Sequence, residues 1–300
     1  MLCIVIPFYK LAYFEDTLNS LANQTNKNFK VYVGDDASTD DCSNLLKKMD
    51  GKFDFEYHRF ETNLGSISLT KQWDRCIALS NKEEWIMILG DDDFLGNNVV
   101  ESFYAYFKIF SGKTSVVRFA TQKVFDTTIT DAIDKHPVWE EATDAFYRKF
   151  SKITRSSLSE YIFTRTAYLK YGFYDYPLAW NSDDKAWLDF SDNKPIFSIN
   201  ESAVFFRLSL LNISGKRDNL FLKNKSEIEF YKFLIHNKLK YYNNEQKLRL
   251  LRRYQAEMRE FKTLSLLGFC TLLFYYMRYL NLNWIKKFFK KVINFFKINV

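Results

Sequence analysis

The sequence has few of the residues that interrupt regular structure or build metal and disulfide frameworks. Its 300 residues include only 9 Gly, 4 Pro, 4 Cys and 3 His. So little Gly and Pro argues against a collagen-like or linker-rich chain. The cysteines form no CxxC pair, which argues against a zinc ribbon or a disulfide scaffold and is typical of a reducing compartment. No histidine stands in an HExxH or triad-like setting, so carboxylates are the main candidates for chemistry.

The positive charge is confined to the end of the chain. Residues 216–300 carry a net charge of +13, whereas residues 1–215 carry −6. A nucleic-acid enzyme would be expected to carry its basic groove around the active site, so we expect no nucleic-acid partner. Met1 leads directly into an apolar run without a basic segment before it, so we expect no secretory signal.

Strand and helix patterns alternate over the first ninety residues. Apolar, β-branched runs predict strands at 2–8, 29–33, 53–60 and 85–89, with amphipathic helical spacing between them. This alternation predicts an α/β fold with a mixed, mostly parallel sheet sandwiched by helices. Further on, the pattern predicts a helix at 99–110, a strand at 115–119 and a polar loop at 126–138.

Acidic clusters follow two of these strands. Asp91, Asp92 and Asp93 come directly after the fourth strand, and adjacent carboxylates repel one another unless a cation or hydrogen-bond donors neutralise them. Oxygen ligands of this kind suit Mg²⁺ or Mn²⁺ shared with a diphosphate. The alternative is an acidic turn that caps the following helix. In either case the cluster lies where α/β sheets bind ligands, beyond the carboxyl ends of the strands.

The ends of the first two strands carry candidates for nucleotide binding. Asp35 and Asp36 end the second strand and can accept hydrogen bonds from a base or ribose, although a capping role for this segment is the alternative. Pro7 and Tyr9 end the first strand, and Tyr9 could stack on a base or simply fill the core.

These motifs together resemble family 2 glycosyltransferases of the GT-A fold. The matching stretches are IVIPFY (4–9), LANQT (21–25), VYVGDDASTDD (31–41), NLG (63–65), WDRCIAL (73–79) and WIMILGDDDFL (85–95). The resemblance implies nucleobase contacts from Tyr9 and Asp36, supported by Pro7 and Asp35. It implies Mn²⁺ or Mg²⁺ bound by Asp93, Asp92 near the ribose and diphosphate, and Asp91 as a second metal ligand or a strand-end carboxylate. Gly90 stands where many members have the first Asp.

Two later stretches, 171–184 and 205–215, resemble the acceptor side of a subgroup that makes bacterial surface polysaccharides. An inverting transfer needs a base for the acceptor hydroxyl, and the resemblance implies Asp183 in that role with Asp184 as the alternative. An acidic helix cap is the structural alternative. Arg207 could stabilise the departing diphosphate or be a packed arginine.

The basic tail is predicted to be helical. Residues 264–277 carry no charge, but this run is shorter than the ~20 residues that span a bilayer. A helix over 284–296 would place Trp284, Phe288, Val292 and Phe295 opposite Lys286, Lys287, Lys290 and Lys291. Such a helix is typical of an anionic membrane interface, so residues 264–300 are predicted to bind one. The alternative is docking on the catalytic domain or an oligomer partner.

The sequence therefore predicts a catalytic domain over 1–215 and a membrane-associating region over 216–300. The expected enzyme is an inverting transferase that moves a sugar from a nucleotide-sugar, UDP-linked, to a hydroxyl of a lipid-linked glycan in O-antigen or capsule-type synthesis. It is expected in the cytoplasm, peripherally bound to the inner face of the plasma membrane. A metal-dependent sugar nucleotidyltransferase and a catalytically silent glycan-binding module are the alternatives.

Overall fold

The computed structural model of the protein describes residues 1–209, 219–261, 266–279, 285–286, 289–290 and 293. The chain divides into two compact units, Met1–Asn219 and Leu220–Val300. The domain boundary predicted after residue 215 lies outside the described residues, as do Trp284, Phe288, Val292 and Phe295 of the predicted amphipathic helix.

The first unit contains one mixed sheet and its flanking helices. Its strands are β1 (Leu2–Phe8), β2 (Phe29–Asp35), β3 (Asp54–Arg59), β4 (Trp85–Ile88), β5 (Phe94–Leu95), β6 (Val116–Phe125), β7 (Thr128–Asp134), β8 (Trp139–Glu140), β9 (Tyr161–Thr164) and β10 (Ile196–Leu208). Its helices are α1 (Phe14–Ala22), α2 (Ser43–Lys47), α3 (Leu69–Ile77), α4 (Val99–Phe110), α5 (Ala142–Phe150), α6 (Arg165–Tyr171) and α7 (Ser182–Phe190), with a 3₁₀ turn at Pro177–Ala179.

The sheet order places the ends of the acidic strands side by side. The strands run β3-β2-β1-β4-β9-β6-β10-β5, with β7 paired to β6 and β8 to β10. Strand β1 is parallel to both β2 and β4, so the segments after all three strands emerge at one edge. The predicted α/β fold with a mostly parallel central sheet is confirmed. The polar loop predicted at 126–138 is wrong, because β7 lies there as an exposed hairpin partner of β6.

The two faces of the sheet bury separate cores. Alternate residues of β1 point to opposite faces, as the two-residue strand period requires. Leu2, Ile4 and Ile6 belong to a core that includes residues of α1 and α4, whereas Cys3 and Val5 belong to one that includes residues of α3 and α7. These two cores hold β1 rigidly between helices, so the segment after Phe8 has a fixed origin.

The second unit is helical. It contains α8 (Leu220–Phe233), α9 (Asn244–Glu260) and α10 (Leu266–Tyr279), with a π-helical turn at Leu234–Lys238 and a 3₁₀ turn at Leu239–Tyr241. Helix α9 begins with a capping box, in which Asn243 and Gln246 bond to each other's backbone N–H. Within the described part of the chain, every helix falls short of the length and apolarity needed to cross a bilayer.

Candidate active site

A cleft of about 450 Å³ opens where β1, β2 and β4 end. We call it the strand-end cleft. Of the residues predicted to bind a nucleotide-sugar or a metal, its lining includes Pro7, Tyr9, Asp36, Asp91, Asp92 and Asp93. Asp35, Asp183, Asp184 and Arg207 are outside the lining. The structure therefore brings together every predicted donor-side residue except Asp35, and none of the predicted catalytic residues.

The acidic turn, residues 91–93, is held in place by its neighbours. Asp91 Oδ2 accepts hydrogen bonds from the backbone N–H groups of Tyr9 and Lys10, both at 2.8 Å. This contact fixes the segment after β1 against the segment after β4. Tyr9 is therefore positioned at the cleft by a carboxylate 82 residues away in the sequence.

Both carboxylate oxygens of Asp93 accept hydrogen bonds from the protein. Its Oδ1 accepts the backbone N–H of Arg207 at 2.8 Å, and its Oδ2 accepts the Ser159 hydroxyl at 2.5 Å. The Ser159 oxygen also accepts the backbone N–H of Gly90 at 3.1 Å. Ser159 thus connects Gly90, just before the turn, to Asp93 at its end and fixes the orientation of the Asp93 carboxylate.

The turn concentrates negative charge in a poorly solvated place. Burial, followed by repulsion from Asp93 and Asp91, raises the pKa of Asp92 to about 8. Burial raises the pKa of Asp93 to about 6 and also raises that of Asp91. No ion pair or side-chain hydrogen bond reaches the Asp92 carboxylate from the described residues. A cation would offset this repulsion, since an adjacent positive charge favours the ionised form.

The carboxylates of Asp92 and Asp93 fit a divalent cation. A Cβ added to Gly90 would lie 3.1 Å from Asp92 Oδ1 and 3.2 Å from Asp93 Oδ2, so both carboxylates converge on the space that Gly90 leaves open. The described residues contain no group of three or more His, Cys, Asp or Glu side chains arranged to hold a metal. The turn would therefore supply only part of a coordination shell. Oxygens of a phosphate or of water would supply the other ligands, as in Mg²⁺ sites shared with phosphates.

The two carboxylates at the end of β2 bind protein groups. Asp35 accepts hydrogen bonds from Tyr57 at 2.6 Å and Arg59 at 2.7 Å. Asp36 pairs with Arg75 and accepts the backbone N–H groups of Leu64 and Gly65. A Cβ at Gly65 would come within 2.5 Å of Asp36 Oδ2, so this approach requires glycine. Asp36 therefore shapes the 63–65 loop, and its contact with a nucleobase stays a prediction.

Asp183 and Asp184 differ sharply in their surroundings. The Asp184 carboxylate is buried and accepts Lys149 Nζ on both oxygens, at 2.6 and 2.7 Å. Asp183 has no ion pair or side-chain hydrogen bond among the described residues. Burial and then the charge of Asp184 raise the pKa of Asp183 to about 6.

Arg207 is buried, and each of its guanidinium nitrogens donates a hydrogen bond to a protein oxygen. Only 1% of its surface is exposed. Its guanidinium donates to the carbonyl oxygens of Asp92 and Asp126 and forms a 2.7 Å ion pair with Asp16. These contacts match the packed-arginine alternative raised by the sequence, and they make Arg207 a support of the acidic turn. Its predicted contact with a diphosphate stays untested.

Two important partners were missed from the sequence. Ser159 follows no motif and lies 66 positions from the carboxylate it orients. Lys149 stands among other charges at the end of α5, where a basic residue is ordinary at the negative end of a helix. The residues around Ser159 and Lys149 in the sequence do not indicate these roles, because both side chains bind partners that are distant in the chain.

We expect Ser159→Ala to weaken metal binding on the order of 10- to 100-fold, the usual effect of losing a hydrogen bond to a ligating carboxylate. Ser159→Thr keeps the hydroxyl and is expected to stay within a few fold of the native protein. The measurement is Mn²⁺ binding by electron paramagnetic resonance in the presence of UDP. Unchanged Mn²⁺ affinity in Ser159→Ala would show that Ser159 does not position Asp93.

Comparison with known proteins decides the family. The model of glycosyl transferase family 2 matches residues 3–175, which is more than half of the chain and includes the whole acidic turn. The chain belongs to glycosyl transferase family 2. The family 2 resemblance predicted from the sequence is thereby confirmed, and the sugar nucleotidyltransferase alternative is set aside.

Relatives of this family 2 chain include a transferase named for N-acetylglucosamine and poly(ribitol-phosphate). The chain is 28% identical over 107 residues to the poly(ribitol-phosphate) beta-N-acetylglucosaminyltransferase TarS of Staphylococcus aureus strains Mu50 and MW2. This match covers 34% of the chain and 18% of each relative.

Solved structures confirm the GT-A fold. S. aureus TarS 1-349 in complex with UDP-GlcNAc has a TM-score of 0.64 at 16% identity, with 93% of this chain and 81% of that chain covered. The complex of TarS 1-349 with UDP has a TM-score of 0.56 at 15% identity, with coverage of 86% and 68%.

Proposed function

We propose that this family 2 chain is a metal-dependent, inverting glycosyltransferase that uses a UDP-sugar. The observation that carries the proposal is the convergence of Tyr9, Asp92 and Asp93 in one cleft at the carboxyl ends of three parallel strands. UDP-GlcNAc is the first donor to test, because solved structures of similar fold contain UDP and UDP-GlcNAc.

The cleft has the parts that donor binding requires. Tyr9 is 39% exposed and offers a ring face to the base. Asp92 and Asp93 would hold Mn²⁺ or Mg²⁺ together with the diphosphate. Asp91, predicted from the sequence as a second metal ligand beside Asp93, stays a prediction in that role. When bound, the cation would neutralise the diphosphate as it departs.

Asp183 is proposed as the base. It takes the proton of the acceptor hydroxyl while that oxygen bonds to the anomeric carbon, and the bond to the diphosphate breaks with its electron pair leaving on UDP. Asp184 cannot perform this role as readily, because Lys149 occupies both of its oxygens. The proposed acceptor is a lipid-linked glycan in bacterial surface-polysaccharide synthesis, and the TarS relatives are named for sugar transfer to another polymer, poly(ribitol-phosphate).

Donor binding can be tested without knowledge of the acceptor. A panel of nucleotide-sugars with Mn²⁺ should raise the unfolding temperature of the full chain for UDP-linked members, because a ligand that binds only the folded state stabilises it. The shift should vanish with EDTA. Equal shifts for all nucleotides, or none, would contradict a UDP-sugar site.

The second unit supports a proposal of peripheral binding to an anionic membrane. On α10, Cys270, Phe274 and Met277 are exposed at helical spacing and form one apolar face. Beyond it, Lys286 and Lys290 are exposed, within a segment whose net charge is +13 over residues 216–300. Exposed apolar and exposed basic side chains in one helical unit suit a lipid interface at the inner face of the plasma membrane.

We expect Lys286→Gln/Lys290→Gln to reduce binding to phosphatidylglycerol-containing vesicles roughly tenfold or more, since each basic residue near such a surface contributes about 1 kcal/mol. Co-sedimentation of the full chain measures this. The matched control is Lys47→Gln/Lys52→Gln, which removes two exposed charges from the first unit. If both double variants bind like the native protein, or if pure phosphatidylcholine serves equally well, the electrostatic anchor is wrong.

A further inference from the structure

A second cavity, of about 590 Å³, lies beside the acidic turn. We call it the hairpin cavity, because α1, β5, β10 and the β6–β7 hairpin form its walls. Side chains alternate along a strand, so Phe205 and Arg207 point to one side of β10 and Phe206 to the other. Phe205 and Arg207 line the hairpin cavity, whereas Phe206 lines the strand-end cleft. The two cavities share no described lining residue.

The floor of the hairpin cavity is aromatic. The rings of Phe94 and Phe205 stack with centroids 4.6 Å apart and planes 8° from parallel. Both are half-buried, so part of this surface remains open, and Ile129 of the hairpin adds an apolar side chain that is 48% exposed. Because each ring covers a face of the other, the apolar surface left open to a ligand is the uncovered part of the stacked pair together with Ile129.

Its rim consists of amides. Asn19, Asn23 and Asn97 are exposed and line the opening. Their side chains make no hydrogen bonds within the described residues. An amide both donates and accepts hydrogen bonds, as a sugar hydroxyl does, so a row of them suits a polyhydroxyl ligand.

The cavity is electrically neutral. The two charged residues among its described lining, Asp16 and Arg207, form an ion pair at 2.7 Å. No lysine contributes to that lining. This balance argues against a phosphate or nucleotide, which would call for an uncompensated cation.

We propose that the hairpin cavity binds one neutral sugar residue of the acceptor glycan, with its apolar face against Ile129 and the open surface of the stacked pair of Phe94 and Phe205, and its hydroxyls on the three asparagines. The proposal rests on the proposed function for the identity of the glycan. It goes beyond that function because the site is separate from the strand-end cleft. Arg207 connects the two sites, since its backbone N–H binds Asp93 while its side chain binds Asp16.

Saturation-transfer-difference NMR with N-acetylchitotriose as the probe tests this site in the full chain. The probe is added in the presence of saturating UDP and Mn²⁺, which block the strand-end cleft. We expect a signal that persists under UDP and weakens in Asn19→Ala/Asn97→Ala with a roughly tenfold loss of affinity, as the removal of two hydrogen bonds predicts. Asn44→Ala, an exposed amide on α2 outside both cavities, should bind like the native chain.

Several results would overturn the proposal: no signal, a signal that UDP abolishes, full binding by Asn19→Ala/Asn97→Ala, or displacement of the sugar by inorganic phosphate. UDP binding of each variant is measured in parallel and should be unchanged, which shows that the variant is folded. Because these measurements need no turnover, a failure here leaves the proposed transfer reaction untouched. Conversely, absent turnover alongside intact sugar binding would contradict only the proposed function.

Discussion

Replacing Asp183 by asparagine is expected to lower sugar transfer by roughly 10³-fold, within the usual contribution of a general base. The substitution should not lower the free energy of unfolding at neutral pH. The pKa of Asp183 is raised to about 6 in the folded state, from an ordinary value of 3.8. The free energy of unfolding therefore falls as the pH rises through this interval, because the folded state holds the proton more tightly than the unfolded state. Above about pH 6 the neutral asparagine should be at least as stable as the native residue.

Asp184→Asn is the matched comparison for this prediction. It leaves Lys149, whose side chain is 29% exposed, without its buried carboxylate partner, and we expect a loss of about 2 kcal/mol in the free energy of unfolding. Its transfer rate should fall much less than that of Asp183→Asn. If Asp184→Asn abolishes transfer while Asp183→Asn retains it, the base is Asp184.

The pH dependence of the native protein gives an independent check on Asp183. A base must be ionised, so kcat/KM should fall roughly tenfold per pH unit below about pH 6 and level off above it. At saturating Mn²⁺, which keeps Asp92 and Asp93 ionised, this acid limb should be absent from the residual activity of Asp183→Asn. A limb retained at the same pH would assign the titration to another group.

Replacing Asp93 by asparagine is expected to abolish metal-dependent transfer, again by roughly 10³-fold or more. Asparagine keeps an oxygen that can accept the Arg207 backbone N–H, so the turn should hold its shape. The loss would then come from the missing charge opposite the cation. Mn²⁺ affinity, measured in the presence of UDP, should fall together with turnover.

Asp91→Asn separates the two carboxylates predicted as metal ligands. Asp91 Oδ2 is engaged by two backbone N–H groups, and an amide oxygen can accept both. We therefore expect Asp91→Asn to weaken Mn²⁺ binding much less than Asp93→Asn. Near-native turnover in Asp93→Asn, or an equal loss in both variants, would contradict this division of roles.

The donor side of the site could be predicted because its residues follow buried strands directly. The apolar runs before Tyr9, Asp36 and Asp91 identify β1, β2 and β4, and parallel strands bring their carboxyl ends together. Strand β7 was missed, because its exposed polar side chains look like a loop and only its pairing with β6 makes it a strand.

The supporting contacts could not be predicted, because each joins positions far apart in the chain. The sequence shows two adjacent carboxylates at 183 and 184, but only the fold brings Lys149 to one of them. Likewise, Arg207 lies 191 positions from Asp16, so the ion pair that holds its buried guanidinium could not be predicted, and its contact with a diphosphate stays a prediction.

The most direct test of the central claim is UDP release by the purified full chain from UDP-GlcNAc and other UDP-sugars. With Mn²⁺ present, at least one donor should be turned over, EDTA should stop the release, and added Mn²⁺ should restore it. The product should carry the anomeric configuration opposite to that of the donor. UDP release that survives EDTA, retention of configuration, or full activity in Asp93→Asn would contradict a metal-dependent inverting transferase, and a complete absence of turnover would favour a silent glycan-binding module.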